Sequence, residues 1–264
     1  MGRKTQIHIP LSARKALVDA YDRIVVKMHL QKQQHDRSVF LICGTDPKVG
    51  ATSAAIYLAS GLAKSGRKVL LLDADMRKAV DKKLFGQEAE QTLAKYLTNE
   101  DMEIEDIIYG SDVPGLDVIA GGVSADPVQI LCAARMRMAV NMLRDRYDFI
   151  IINIPSAGAA ADSNAVLGYV DQVVMVAAPD RSYKKQIIES YEDFSKYGVS
   201  LLGVIVNRVD CYGYHDYTKN GNYYTEEVPS GFWGRLFSKK KQKSKTETEK
   251  KPKPKTEIKK EKKK

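Results

Sequence analysis

Cysteine pairs and long apolar runs are both scarce in this chain of 264 residues. Cys43, Cys132 and Cys211 are its three cysteines, far apart and without a CxxC pair. That argues against a disulfide framework or a zinc site and suits a reducing cytosol. The longest apolar runs, such as VVMVAA and LLGVIV, have the length of buried strands. They fall well short of the roughly 18–20 residues needed to span a bilayer. The opening MGRKTQIHIPLSARK lacks the apolar run of a signal peptide. A cytoplasmic protein is expected, unless something tethers it to a surface.

Surplus positive charge is also missing from most of the chain, although the net charge is +9. Residues 239–264 hold 14 Lys against 4 Glu, a net +10, which leaves residues 1–238 at −1. A basic nucleic-acid-binding face on the body is thereby excluded as the source of the charge. Hydrophobic residues make up 44% and charged residues 28%, the composition of a soluble globular domain rather than a disordered chain. At this length, a single α/β domain of about 200–250 residues is the simplest organisation.

From residue 39 onward, apolar β-branched runs alternate with amphipathic stretches. Strands are expected at 39–43, 68–72, 117–120, 148–153, 172–177 and 201–206. Helices are expected at about 52–64, 89–97, 127–145, 162–168 and 184–197. Strands that are apolar throughout are covered on both faces. Strand and helix in repeated alternation predict an α/β fold, a doubly wound, mostly parallel sheet with helices on both faces. Gly66, Gly115 and Gly198 fall where helix-to-strand turns want positive φ. The expected organisation is an amphipathic segment at 1–35, an α/β domain at 36–210, a Tyr-rich and aromatic segment at 211–238 and a disordered lysine-rich tail at 239–264.

The first strand runs into Gly44-Thr45-Asp46-Pro47-Lys48-Val49-Gly50-Ala51-Thr52-Ser53. Between a strand and a helix, such a loop is where backbone N–H groups and the helix dipole hold phosphates. A working P-loop ends in Gly-Lys-[Ser/Thr]. Here the triplet is Gly50-Ala51-Thr52, so an ordinary strand-to-helix turn is the competing reading. The second strand ends in Asp73-Ala74-Asp75-Met76-Arg77, two carboxylates at the end of a sheet where doubly wound folds bind ligands. Helix N-caps would explain one Asp more easily than two. The fourth strand, Phe149 to Ile152, ends in Asn153 where a Walker B strand carries the Asp that helps hold Mg²⁺.

Over about residues 13–210 these motifs resemble the cytoplasmic tyrosine kinases of bacterial capsule and exopolysaccharide synthesis, a branch of the P-loop ATPases. The match runs through Asp46-Pro47, Gly50, Thr52-Ser53, the block from Leu72 to Arg77, and Asp112 to Ile119. It continues through Gly121-Gly122, Asp126-Pro127, Asp148, Asp162 and Gly203 to Asn207. The resemblance implies ATP and Mg²⁺ as cofactors. It places nucleotide binding at Pro47, Lys48, Val49, Gly50, Ala51, Thr52 and Ser53, and metal at Thr52, Asp73 and Asn153. Asp73 and Asp75 are the retained acidic, catalytic block. The family's P-loop lysine is Ala51 here, its Walker B carboxylate is Asn153, and Lys48 stands where Gly is usual. Its Glu-x-x-Arg-x-x-Arg self-assembly motif falls on Asp19, Asp22 and Val25, without either arginine.

Three readings follow from the resemblance. The first is a degenerate member, inactive or weakly active, that regulates polysaccharide synthesis beside a membrane adaptor of the chain-length-regulator type and an intact kinase paralogue. The second is an active ATP-dependent tyrosine autokinase. The third is a partition-type ATPase relative, which the branch-specific early lysine, replaced by Asp46, disfavours. Tyr212, Tyr214, Tyr217, Tyr223 and Tyr224 match the family's phosphorylated cluster. The aromatic Phe232-Trp233 and Phe237 ahead of the lysine run form a two-signal anchor for an anionic membrane surface on its inner face. A solvated tail and nonspecific nucleic-acid binding are the competing readings of that run.

Overall fold

The computed structural model describes residues 7–9, 15–77, 89–158 and 161–209. The elements, in chain order, are α1 (Lys15–His35), β1 (Val39–Gly44), α2 (Ala51–Lys64), β2 (Val69–Asp73), α3 (Leu93–Thr98), β3 (Ile108–Gly110) and β4 (Leu116–Ile119). They continue with α4 (Pro127–Cys132), α5 (Ala134–Arg144), β5 (Phe149–Asn153), α6 (Asp162–Ala165), β6 (Gln172–Ala177), α7 (Lys184–Lys196) and β7 (Ser200–Val206). Short 3₁₀ turns cover Ile104–Ile107 and Leu167–Tyr169.

The strands form one seven-stranded sheet in the order β3-β4-β2-β5-β1-β6-β7. Neighbours pair in parallel except β3, which runs antiparallel to β4 at one edge. That edge strand is additional to the six expected. It is three residues long and half-buried, below the length at which a periodic pattern shows.

Strand alternation divides the core in two. Val39, Leu41 and Cys43 face a cluster with Leu93, Leu131, Met136, Val140 and Phe194. Phe40 and Ile42 face a second cluster with Leu58 and Leu62 of α2 and with Tyr21, Val25 and Met28 of α1. Helices thus cover both faces, as the all-apolar strands require. The expected helix at 127–145 is two helices, because Ala133 takes an extended conformation (φ −64°, ψ 149°). The stretch at 162–168 is one helical turn followed by a 3₁₀ turn. Gly66, Gly115 and Gly198 carry φ of 84°, 82° and 75°, the turn geometry expected of them.

The amphipathic segment at the start packs against the body. Tyr21 stacks on Tyr57 of α2 with centroids 5.0 Å apart. A Cβ on Gly61 would lie 2.9 Å from Val25 Cγ2, so the glycine lets α1 and α2 approach closely.

Candidate functional site

β1 lies between β5 and β6, and β2 lies beyond β5. The carboxylates of β2 are therefore one strand removed from the first loop rather than beside it, and β5 carries Asn153 into the gap. Asn153 is in register with Ile42 of β1 on one side and with Asp73 of β2 on the other. The right-handed crossovers of a doubly wound sheet bring these ends together at its carboxyl edge.

The loop after β1 folds back over its own start. A Cβ on Gly44 would meet Val49 Cγ2 at 2.7 Å and Asp46 O at 2.9 Å. The Val49 side chain is buried as the loop's anchor. Thr45 N donates to Val176 O of β6 at 2.9 Å, and Ala157 N donates to Gly44 O at 2.9 Å. Gly50 is left-handed (φ 98°) and opens α2 with no side-chain cap and no acidic residue in the first turn. Uncapped N–H groups at the start of a 14-residue helix favour an anion. The backbone thus fits a phosphate. Pro47 and Lys48 are exposed, Thr52 is half-buried and Ser53 is exposed. Lys48 has φ 67°, so a lysine occupies the left-handed position where glycine is easier.

Two residues that the sequence reading did not place in the site hold this loop. Asn207 Nδ2 donates to Val49 O at 2.8 Å, and Arg208 Nη2 donates to Lys48 O at 2.6 Å. A Cβ on Gly50 would come within 2.2 Å of Asn207 Nδ2. Position is the one sequence signal of Arg208, which follows the last strand at the sheet end that carries the loop, whereas Asn207 closes the stretch from Gly203 that carries the resemblance. Asp46 puts a carboxylate into the loop. Gln186 Nε2 of α7 donates to its Oδ1 at 3.4 Å, while Oδ2 is buried with no hydrogen-bond partner among the described residues.

At the ends of β2 and β5, Asp73 and Asn153 are buried side by side. Asn153 Nδ2 donates to Asp73 Oδ1 at 2.8 Å, and Asp75 N donates to the same oxygen at 3.1 Å. Asn153 Oδ1 is buried with no hydrogen-bond partner among the described residues. Asp75 is half-buried and accepts from Arg77 N at 3.3 Å. Each Asp thus accepts from the N–H two residues on, the geometry of an Asx turn. Arg77 clamps Asp162 at the start of α6, with Nε to Oδ2 at 2.9 Å and Nη2 to Oδ1 at 2.6 Å.

A cation of the Mg²⁺ kind takes oxygen ligands, at such sites one or two carboxylates with phosphate oxygens. Asp73 alone supplies a carboxylate at these strand ends: its Oδ1 accepts from Asn153 Nδ2, its Oδ2 takes no part in that bond, and Asn153 offers a neutral carbonyl where the resemblance implies a second charge. Thr52, Asp73 and Asn153 thus carry oxygen donors suited to such a cation, with one negative charge fewer than the resemblance implies. Among the described residues, no three His, Cys, Asp or Glu side chains form a group that could hold a metal ion. The remaining expected site residues, Tyr212, Tyr214, Tyr217, Tyr223 and Tyr224, lie outside the described residues, as do Phe232, Trp233, Phe237 and the lysine run. A separate groove of about 470 Å³ is lined by residues of α3, α5 and the stretch between α3 and β3, with none from the loop.

Residues 42–207 match the protein family described as "AAA domain". The tyrosine-protein kinase etk of Escherichia coli K12 is 30% identical over 193 residues, which are 73% of this chain and 26% of that protein. The putative tyrosine-protein kinase EpsB of Ralstonia nicotianae is 32% identical over 187 residues, 69% of this chain and 25% of that protein. The chain spans about a quarter of the length of these curated relatives. Among solved structures, the kinase domain of Escherichia coli tyrosine kinase ETK superposes with a TM-score of 0.69 at 26% identity, covering 78% of this chain and 91% of that one. The septum site-determining protein MinD of Pyrococcus horikoshii, complexed with Mg-ADP, gives 0.57 at 25% identity, covering 66% and 71%.

Proposed function

Because the chain belongs to the AAA domain family, on the branch of the bacterial tyrosine kinases, we propose that it is a degenerate kinase. It binds a nucleotide at the loop from Pro47 to Ser53 and regulates capsular or exopolysaccharide synthesis with little or no phosphoryl transfer of its own. The observation that carries this reading is the pairing of Asn153 Nδ2 with Asp73 Oδ1 beside a loop in which Ala51 replaces lysine.

Bound ATP would supply the phosphoryl group in an active relative. In this chain, the groups that would stabilise the charge developing on it are reduced. One preorganised donor to developing charge is worth about 10²–10³ in rate. Losing the lysine and the carboxylate together therefore lowers turnover by several orders of magnitude. Binding suffers less, because the N–H groups at the start of α2 and the loop clasped by Asn207 and Arg208 remain. Asp46 places negative charge in the loop, which disfavours the partition-type alternative.

As a regulatory subunit the chain works with a membrane adaptor of the chain-length-regulator type and an intact kinase paralogue. That paralogue would phosphorylate Tyr212, Tyr214, Tyr217, Tyr223 and Tyr224. The aromatic segment and the +10 lysine run support peripheral attachment to an anionic inner membrane face. The test is an ATP-binding and autophosphorylation assay on the purified full chain. ATP binding without phosphotyrosine is expected. Phosphotyrosine that appears with Mg-ATP and disappears in Asp73→Ala would establish the active-autokinase alternative instead.

A further inference from the structure

We propose that Arg208 and Asn207 are positioning residues for the phosphates of the nucleotide: by gripping the carbonyls of Lys48 and Val49 from outside, they aim the N–H groups of Val49 and Gly50 into the loop. The proposal deepens the nucleotide-binding reading and rests on it for the identity of the ligand.

Arg208 Nη2 donates to Lys48 O at 2.6 Å, and Asn207 Nδ2 donates to Val49 O at 2.8 Å. In a trans peptide the carbonyl and the N–H that follows it lie in one plane and point in opposite directions. Holding Lys48 O therefore turns Val49 N–H away from Arg208, and holding Val49 O turns Gly50 N–H away from Asn207. Among the described residues neither N–H has a backbone acceptor. Val49 is only 1% exposed, and backbone donors in such surroundings are almost always paired. The loop is thus short of an acceptor that a ligand brings. The sign of φ agrees: it alternates from Pro47, whose ring holds it negative, through Lys48 at 67° and Val49 to Gly50 at 98°. Alternation of this kind curls successive N–H groups around an anion.

The grip is one unit. Arg208 N donates to Asn207 Oδ1 at 2.9 Å, so the carboxamide spends its oxygen on Arg208 and its nitrogen on Val49. Asn207 N is tied in turn to Ala177 O of β6 at 2.8 Å. Arg208 has φ 58°, so the bond from Arg208 to Lys48 joins two left-handed residues that are not glycine. Such backbones persist only where the surroundings impose them. Net charge does not do the same work here. Lys48 and Arg208 stand against Asp46, Asp73 and Asp75, and Arg77 is engaged by Asp162. With Ala51 in the lysine position, aimed N–H groups carry a larger share of phosphate binding.

The experiment measures ADP affinity of the full chain by calorimetry with Mg²⁺ present, and follows the amide resonances of Val49 and Gly50 by NMR. The native chain should bind ADP and move both amide protons downfield. Arg208→Ala should weaken binding about five- to tenfold, the worth of one hydrogen bond, and should remove most of the Val49 shift while Gly50 keeps its own. Arg208→Gly should behave the same way, and it protects the test against misfolding because glycine takes a left-handed backbone readily. The loss should be equal in about 0.1 M and about 0.5 M NaCl, since a role as an exposed charge would be screened away at the higher salt. Native affinity in both variants, a loss that fades with salt, or a Val49 shift that survives overturns the proposal. A native chain that binds no ADP overturns the nucleotide reading and the proposal with it.

Discussion

Replacing Arg77 by Ala tests whether the acidic block after β2 is held in place from outside. Arg77 makes two hydrogen bonds to Asp162, at 2.9 and 2.6 Å. Asp162 is fully buried, whereas the Arg77 side chain is 43% exposed. Removing one partner of a fully buried ion pair costs about 3–5 kcal/mol, because a charge is left uncompensated. Water reaches the guanidinium here, so part of the attraction is already screened, and a loss of about 2–3 kcal/mol is expected. In a domain of this size that lowers the thermal midpoint by about 5–10 °C.

Urea unfolding followed by circular dichroism gives the value directly. The cause is separable from the loss of side-chain packing by adding Asp162→Asn. The double variant removes the buried charge and should recover at least half of the deficit. Arg77→Lys should recover less, since an ammonium lacks the planar fork that engages both oxygens. If Arg77→Ala unfolds within about 0.5 kcal/mol of the native chain, the lower edge of measurable effects, the clamp carries no stability. If Asp162→Asn adds nothing to it, the buried charge is not the reason for the loss.

Gly50→Ala places a side chain at φ 98° and 2.2 Å from Asn207 Nδ2, so left-handed strain and loss of the clasp together should cost about 2–4 kcal/mol, read by urea unfolding, with a matching loss of ATP affinity; a variant as stable as the native chain would refute the clasp. At the opposite end of the sheet, burial pushes the Asp171 carboxyl up, but Arg144 and the N–H groups of Val39 and Ser38 outweigh it and hold it below its ordinary 3.8. Its contribution is then fully present above the unfolded-state value near 3.9 and is lost as pH falls through the lower folded value. Asp171→Asn should therefore cost about 1.5–3 kcal/mol at pH 7, and the gap to the native chain should shrink below about pH 4; a gap that stays constant into acid would contradict this.

Local chemistry by itself determined the repeating layers and the place of a loop between the first strand and the helix after it. Runs such as Phe149 to Ile152 are apolar at every position because helices cover both faces of the sheet, and that requirement is visible residue by residue. Gly66, Gly115 and Gly198 announce turns because left-handed backbone is cheap only for glycine. The residues Ala51 and Asn153 stand out only beside the motifs that the chain resembles, where a lysine and a carboxylate are usual. Only the tertiary structure decided which partners those positions meet. Strand order places β5 between β1 and β2, so Asn153 rather than the loop is Asp73's neighbour. Asn207 and Arg208 reach Val49 and Lys48 across about 160 residues, and Arg77 finds Asp162 across 85. Periodicity reports which face a residue turns, a property of a few neighbouring residues. Contacts between strand ends depend on the crossover that sets the order of the sheet, and no short stretch of the chain carries that order.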